Sequence, residues 1–319
     1  MSLGSPYNCS QGFARVVGED PSNLTVTDVG TFHCSTWPYK GRYPSANFYH
    51  EGVWYYGTYA LDVLSGNAQY PCHNWCVQGP FVGFRYSTDQ GKTWTEPRMQ
   101  MKDVDDNLFG EPGPHPLPNG VWTGKVKFGA PHVVDLGREL EYSPDGFMYL
   151  VGHGADKDYQ PQSWMQGSQV YLARVLPKLE HILNRDSWQF FGGKDSAGRD
   201  KWAPTVALAQ PLYTWENRTG VVTMTYIPAI QKYVMCVGTP TYSPNMQGPF
   251  DVYFLESDAI TGPFKMTAYL AQFGPEAYFV NLPSKFVSPE VVTDAHGNRF
   301  IEAALSYSAN YALRTAIPK

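Results

Sequence analysis

The sequence predicts an all-β fold. Aromatic residues form 15% of the 319-residue chain, and their rings suit the pleated, half-buried surface of a strand. The chain also contains 30 glycines and 26 prolines, the residues that most often interrupt regular structure at turns. In addition, turns followed by aromatic or apolar strands recur along the chain. Together these observations indicate many short strands and few long helices.

The charge and hydropathy of the chain argue against a nucleic-acid or membrane partner. The formal net charge is −5 and there is no block of basic residues, so nothing indicates a nucleic-acid partner. No apolar run approaches the roughly 20 residues that a membrane-spanning helix requires. A chain of this length can bury a substantial core. We therefore predict one domain over residues 1–319 that is monomeric and has no membrane partner.

Four segments share a turn that is followed by a strand of aromatic or apolar residues: 51–56, 145–150, 230–235 and 296–301. A short strand precedes each of them, so each is predicted to be the tip of a β-hairpin. The first three are followed by a second strand pair with an aromatic residue after a polar turn, at 87–94, 185–188 and 257–264. Two hairpins in each repeat make a four-stranded antiparallel blade, and repeated blades predict a β-propeller.

The length of the repeats bears on the number of blades. The repeats are longer than the roughly 40–45 residues of compact propeller repeats, which favours five blades, with six or seven as alternatives. Only a short C-terminal segment follows Phe300. We therefore expect an N-terminal strand at 13–17 to complete the last blade, which would close the ring and remove exposed sheet edges.

The first polar turn, STDQGKTW at 87–94, matches the Asp-box pattern at every position. The Asp89 side chain can accept hydrogen bonds from the turn, Gly91 permits a positive φ, and Trp94 can pack between sheets. We interpret Asp89 as a structural residue. We therefore expect catalytic and binding residues elsewhere, on the loops that enter and leave the inner strands and surround one end of the central axis. We call this end of the propeller the rim.

Prolines open three of the predicted inner strands, at 43–45, 130–132 and 282–284, which places Ser45, His132 and Ser284 around one rim. His153 ends the second strand of its hairpin and returns to the same rim. Two imidazoles so placed can bind a metal, polarise a carboxylate or act as acid and base near neutral pH. The alternative is that they are hydrogen-bonded rim residues without chemistry.

Carboxyl groups at the rim are the next candidates. Glu276 precedes the fourth inner strand, and Asp62 follows the second strand of the first hairpin in the topological position of His153. Glycosidic hydrolysis commonly uses two carboxyl groups, one as acid and one as base or nucleophile. We predict Glu276 and Asp62 as this pair, while Glu216 and Glu111 are weaker candidates in loops before inner strands.

Aromatic and cationic residues complete the predicted site. Tyr226 lies along the third inner strand, where its phenol could transfer a proton, with core packing as the alternative. Aromatic rings beside cations suit stacking on sugars and pairing with carboxylates. Such residues near the predicted rim are Trp37, Trp164, Arg42, Lys127 and Lys285. This mixture indicates an oligo- or polysaccharide substrate that carries uronate or other acidic groups.

The five cysteines bear on location. We predict loop disulfides between Cys72 and Cys76 and between Cys9 and Cys34, which require an oxidising compartment, and Cys236 lies in an apolar run. The chain is therefore predicted to be secreted or periplasmic. No second cysteine or histidine pair follows at zinc spacing, so no cofactor is predicted, neither Ca²⁺ nor Zn²⁺.

The Asp-box, the inner hairpins and segment 257–264 together resemble the propeller glycoside hydrolases, both the sialidases and the five-bladed arabinanase and xylosidase group. The resemblance covers most of the chain as a pattern. It implies a propeller that hydrolyses glycosidic bonds. Two features depart from it: the Arg-Ile-Pro segment and three-arginine clamp of sialidases have no match, and Tyr43 stands before Pro44 where the furanosidases usually carry an Asp.

A second resemblance is to the propeller ulvan and rhamnose-glucuronate lyases. In that group two histidines about twenty residues apart act with a tyrosine and an arginine in β-elimination at a uronate. His132, His153 and Tyr226 are similar to the first three. The arginine expected soon after the tyrosine is missing at 241–243, and Arg42 is the available substitute from another blade.

The sequence thus predicts a secreted carbohydrate-active enzyme that cleaves a plant- or algal-type glycan by hydrolysis. Glu276 and Asp62 are the predicted carboxyl pair, and His132 and His153 orient the substrate or assist proton transfer. The first alternative is a polysaccharide lyase in which the histidines neutralise a uronate carboxylate and Tyr226 abstracts the proton. The second is a glycan-binding propeller without catalysis.

Overall fold

The computed structural model describes residues 2–5, 10–32, 42–61, 77–95, 108–109, 115–116, 122–123, 127–155, 165–241, 248–275, 277–309 and 312–316. Within these ranges regular structure is almost entirely β-strand, and the α-helical residues are confined to one turn, Leu179–Ile182. The all-β prediction is confirmed. None of the helices in the described ranges has the length and apolar character needed to cross a membrane.

The first half of the chain contributes two antiparallel sheets and a short hairpin. The N-terminal sheet has the order β1-β2-β3, with strands Ser2–Ser5, Ser10–Val17 and Thr25–Phe32. The second sheet has the order β4-β5-β6, with strands Arg42–His50, Val53–Leu61 and Val77–Ser87. The hairpin pairs β7 (His115–Pro116) with β8 (Trp122–Thr123).

The third sheet has the order β9-β10-β11-β12-β13, and β14 pairs with β11. Its strands are His132–Val133, Met148–Gly154, Gln169–Val175, Gln189–Lys194, Asp200–Ala203 and Tyr213–Thr214. The fourth sheet has the order β15-β16-β17-β18, with strands Val221–Ile227, Lys232–Pro240, Pro249–Ser257 and Lys265–Pro275.

The fifth sheet comes from the C-terminal part of the chain. It has the order β19-β22-β23, with strands Tyr278–Asn281, Leu305–Ala309 and Ala312–Ala316. A separate hairpin pairs β20 (Val292–Thr293) with β21 (Arg299–Phe300). Three-residue 3₁₀ turns lie at Arg138–Leu140, Arg185–Ser187, Val206–Leu208 and Ser284–Phe286.

The first strands of successive sheets lie against one another: β1 against β4, β4 against β9, β9 against β15, and β15 against β19. Beyond the end of β9, Asp135 forms a parallel bridge with Thr225 of β15. This order is the one expected for inner strands around a common axis. The blade number of five stays a prediction.

The core is divided between neighbouring sheets. Along β10, Met148 and Leu150 pack toward the second sheet, while Tyr149 and Val151 pack toward the fourth. A third cluster joins the fourth and fifth sheets. Strands β10 and β16, in the interior of the third and fourth sheets, are buried along nearly their whole length, so they do not show a simple alternation of apolar and polar residues.

Several sequence expectations differ from the structure. Strand β2, which contains the predicted closing segment 13–17, pairs with β1 and β3 in its own sheet, so the described residues do not show the predicted closure. Pro44 lies inside β4, beside a register shift, and not at its first position. Ser284 begins a 3₁₀ turn after β19 instead of opening a strand. The tip at 296–301 belongs to the separate β20–β21 hairpin.

The turn at 87–94 has the hydrogen bonds that its residue types predict. The Asp89 carboxylate accepts hydrogen bonds from the backbone N–H of Thr93 at 2.9 Å, from the Thr93 hydroxyl at 2.6 Å and from the Ser87 hydroxyl at 2.8 Å. The bonds from Thr93, with that from Ser87, lower the pKa of Asp89 to about 2. Trp94 donates to the Gly91 carbonyl and packs 5.1 Å from Phe13 of the N-terminal sheet. This turn therefore joins two sheets.

Candidate functional site

Four of the five sheets contribute to one cavity of about 410 Å³. Its lining comes from β4, from β9 and the segment after it, from β15, and from the end of β19, at residues 47–49, 132–140, 223–225, 281 and 283. The volume is within the roughly 300–1,000 Å³ that is typical of small-molecule sites. The inner strands thus converge on a cavity with polar groups, and His132 lies in its wall.

The His132 ring is held by two contacts. Its Nδ1 lies 3.2 Å from the carbonyl oxygen of Ala130, and its ring centroid is 4.5 Å from that of Phe279. A carbonyl oxygen only accepts hydrogen bonds, so Nδ1 carries the proton and Nε2 the lone pair. Burial lowers the pKa of His132 to about 4, with a smaller contribution from neighbouring His153. His132 is therefore a neutral hydrogen-bond acceptor at neutral pH.

His153 lies behind His132 on the same face of the third sheet. His132 pairs with Val151 across β9 and β10, and His153 is two residues further along β10, so both side chains leave the sheet on one side. His153 is 0% exposed, and its Cδ2 would lie 2.9 Å from a Cβ at Gly167. The structure therefore brings the two histidines together, with His132 at the cavity and His153 packed beneath it.

Asp135 lies at the meeting point of three sheets. Its carboxylate accepts hydrogen bonds from the backbone N–H of Gly137 at 3.1 Å and of Ser284 at 2.7 Å. Its own N–H donates to the carbonyl of Met224, and its carbonyl accepts from the N–H of Tyr226. Because backbone donors occupy both carboxylate oxygens, this side chain is held in one orientation inside the cavity wall.

Glu139 is the second carboxyl group of the cavity, and its backbone is strained. Glu139 and Leu140 have φ values of 53° and 62°, in the left-handed region that non-glycine residues rarely occupy. The Glu139 carboxylate accepts a hydrogen bond from the backbone N–H of Glu51 at 3.0 Å and lies 3.0 Å from Nδ1 of His50. Such strain often accompanies function, and here the β4–β5 turn holds it in place.

Asp135 and Glu139 were not among the sequence candidates. In the sequence, the segment DLGRE at 135–139 could have indicated them. It follows an inner strand, contains three charged residues, and includes Gly137, which adopts a positive φ. Their partners are distant in sequence: Ser284 is 149 residues from Asp135, and Glu51 is 88 residues from Glu139. Spacing along the chain gives no indication of such contacts.

Ser45 and Lys127 have interior partners. The Ser45 hydroxyl donates to the carbonyl of Pro131, directly before His132, so Ser45 supports the backbone of the histidine strand. The Lys127 ammonium donates to the carbonyls of three residues, at 2.9, 3.1 and 3.2 Å: Val206, Ala207 and Ala209. The structure thus places the Lys127 ammonium in a buried socket of backbone carbonyls, whereas the sequence analysis expected it near a substrate-binding rim.

Ser284, Lys285 and Tyr226 have different surroundings. Ser284 lies beside the cavity through its bond to Asp135. The Lys285 ammonium lies 3.0 Å from the carboxylate of Glu19 at the N-terminal sheet, in an exposed pair. Tyr226 packs against Tyr142 and Tyr233, with centroids 5.7 and 4.9 Å away, in the cluster between the third and fourth sheets. The structure thus does not bring Tyr226 into the cavity wall with His132, and its surroundings match the core-packing alternative.

The remaining candidates lie largely outside the described residues. Residues Asp62, Glu276, Trp37, Trp164 and Glu111 are outside them, as are the side chain of Arg42 and the four cysteines Cys9, Cys34, Cys72 and Cys76. Glu216 is exposed in the segment before β15, and Cys236 is a free, buried thiol on β16. Among the described residues no group of three metal-ligating side chains is found.

Comparisons with known proteins give structural similarity without sequence similarity. No family model and no curated protein matches the chain. Similar solved structures include the GH43 endo-arabinanase from Bacillus licheniformis, with a TM-score of 0.44 and 10% identity over 99% of this chain and 91% of that one. The endo-arabinase from Bacteroides thetaiotaomicron VPI-5482 has a TM-score of 0.40 and 10% identity, over 99% of this chain and 91% of that one. Zg3597, a family 117 glycoside hydrolase of the marine bacterium Zobellia galactanivorans, has a TM-score of 0.38 and 12% identity, over 86% of this chain and 68% of that one.

Proposed function

We propose that this protein is a secreted or periplasmic β-propeller enzyme that hydrolyses glycosidic bonds in a plant- or algal-type glycan. The observation that carries the proposal is the cavity on which the inner strands of four sheets converge, with a neutral imidazole, carboxylates and amides in its wall. Such a concave site with a few oriented polar groups suits a hydroxyl-rich ligand. Residues 1–319 would form one domain, acting as a monomer.

His132 would orient the sugar. Its Nδ1 proton is directed to the Ala130 carbonyl, so Nε2 can accept a hydrogen bond from a sugar hydroxyl. With a pKa of about 4, His132 carries no positive charge at neutral pH. The lyase alternative requires the histidines to neutralise a uronate carboxylate. In the protein without ligand, His132 lacks the positive charge that this alternative assigns to it.

Glu276 and Asp62 would supply the carboxyl pair. Asp62 directly follows Leu61, the last residue of β5, and Glu276 stands between β18 and β19. One carboxyl group would act as acid and the other as base or nucleophile.

The test is a panel of plant and algal polysaccharides, including linear arabinan, arabinoxylan and ulvan. Reducing ends and absorbance near 235 nm would be recorded together. We expect reducing ends without unsaturated product. Absorbance at 235 nm would demonstrate a lyase instead, and tight binding with neither signal would demonstrate a glycan-binding propeller.

The carboxyl assignment is tested with Glu276→Gln and Asp62→Asn. Each should lower kcat by roughly 10²–10⁴-fold, the usual contribution of a general acid or base. The matched control is Glu290→Gln, an exposed carboxylate remote from the cavity lining, which should keep wild-type rates. Full activity of Glu276→Gln would show that this residue does not act as acid or base.

A further inference from the structure

Two tyrosines stack on the outer part of the fourth sheet, away from the cavity. Tyr253 of β17 and Tyr269 of β18 are register partners, and their rings are nearly parallel, with centroids 4.8 Å apart and an interplanar angle of 8°. Tyr253 is 7% exposed, whereas Tyr269 is 47% exposed. One face of the Tyr269 ring therefore rests on Tyr253, and the other face is turned to solvent.

The exposed ring is held in one orientation. The Tyr269 hydroxyl donates to Asp251 at 2.8 Å, and the backbone N–H of Gln272 donates to the same carboxylate oxygen at 3.1 Å. Arg218 lies 3.7 Å from the other Asp251 oxygen, and its side chain is 44% exposed. The Trp215 ring also packs against Tyr253 in an edge-to-face arrangement, with centroids 4.7 Å apart. A rigid apolar surface with a guanidinium beside it is thus presented to solvent.

Hydrogen bonds place this surface at the same end of the fold as His153. The segment that carries Arg218 is bonded to the third sheet, where the N–H of Thr219 donates to the carbonyl of Gly167. A Cβ at Gly167 would lie 2.9 Å from the His153 ring. Tyr269 is on β18, three strand spacings from the inner strand β15, which corresponds to roughly 14 Å. A ligand that extends from the inner strand β15 to Tyr269 must therefore contain several sugar units.

We propose that Tyr269 and Arg218 form a remote binding site for a glycan chain, so that the substrate of the proposed hydrolase is a polymer. This inference rests on the proposed function. The C–H face of a sugar ring would stack on Tyr269, and Arg218 would donate hydrogen bonds to hydroxyl or carboxylate oxygens. The ring costs little conformational entropy on binding because Asp251 already holds it.

The test is native electrophoresis in gels that contain linear arabinan, arabinoxylan or ulvan, with Tyr269→Ala, Tyr269→Phe and Phe300→Ala. The last variant is a matched control, since Phe300 is an exposed aromatic residue of the separate β20–β21 hairpin. We expect at least one polysaccharide to retard the wild-type protein, and Tyr269→Ala to raise its Kd by about tenfold. Tyr269→Phe should keep most of the affinity because the ring remains. Thermal unfolding of each variant would establish that it folds.

The outcomes separate this inference from the proposed function. Retardation that depends on Tyr269, without release of reducing ends, would support the binding site and refute the hydrolase. Release of reducing ends with equal retardation of wild type and Tyr269→Ala would refute the binding site alone. A wild-type protein that none of the three gels retards would also refute it. On a short chromogenic glycoside, Tyr269→Ala should keep the wild-type kcat, since such a substrate is too short to extend from the inner strands to Tyr269.

Discussion

His132→Asn should make the protein less sensitive to acid. In the folded protein burial lowers the pKa of His132 from 6.5 to about 4. The unfolded chain keeps the ordinary value, so between these two pKa values it binds more protons than the folded chain. The free energy of unfolding must therefore fall as the pH falls from about 6.5 toward 4. Asparagine removes this proton while its amide can still donate to the carbonyl of Ala130.

The size of the effect follows from the difference in pKa. Each unit corresponds to about 1.36 kcal/mol, so the whole interval is worth at most about 3 kcal/mol. Between pH 7 and pH 4.5 the wild-type protein should lose about 2 kcal/mol more stability than His132→Asn. The loss of ring packing against Phe279 lowers the stability of the variant by an amount that does not change with pH.

The measurement is urea unfolding of both proteins at pH 7.0, 6.0, 5.0 and 4.5. Other titrating groups contribute equally to both curves and cancel in the difference. The difference between the two free energies of unfolding should change steeply below pH 6.5. If it stays constant over this range, His132 titrates alike in folded and unfolded chains, and the neutral hydrogen-bond acceptor of the proposed site would be wrong.

Three further changes test the structural residues. Asp89→Asn removes a charged acceptor from the turn that contains Thr93, so the Tm should fall at pH 7. This difference should diminish toward pH 2, where the wild-type carboxyl group is itself about half protonated. Lys127→Met leaves three backbone carbonyls without their donor and should cost roughly 3 kcal/mol in urea unfolding, whereas an unchanged midpoint would refute the buried socket. Gly220→Ala would place a Cβ 1.9 Å from a backbone oxygen and should lower stability by about 2 kcal/mol or more. Gly238→Ala, whose nearest contact would be 3.6 Å in the same sheet, is its control and should change stability much less.

The local elements of the fold were predictable because they depend on neighbouring residues. The turns at 51–52 and 145–146 lie where an acidic residue and a glycine interrupt apolar runs, and a strand follows each of them. The turn at 87–94 has its predicted hydrogen bonds because all partners are within a few residues. Likewise, the common face of His132 and His153 follows from one hairpin and the period of two along a strand.

The pairing of the N-terminal strands and the composition of the cavity could not be predicted, because they depend on contacts between distant parts of the chain. Apolar composition does not say which sheet an N-terminal strand joins, and Phe13 packs on Trp94 while β2 pairs within its own sheet. In the cavity, Glu139 is held by Glu51, a residue that looks like an ordinary turn residue in the sequence. Lys127 looked like a rim cation because sequence alone does not show the three carbonyls that surround its ammonium.

The bonds of Asp135 have a consequence for how this chain can change during evolution. In a fold of repeated sheets, one sheet can in principle be exchanged or lost while its neighbours persist. Here the backbone of Asp135 pairs with the fourth sheet, and its carboxylate holds the N–H of Ser284 beyond the fifth sheet's first strand. A substitution at this residue would remove the carboxylate bonds to the N–H groups of Gly137 and Ser284, although the backbone bonds to the fourth sheet would remain. We therefore expect the segment from 132 to 137 to be inherited together with its partners on β15 and at Ser284, as one unit.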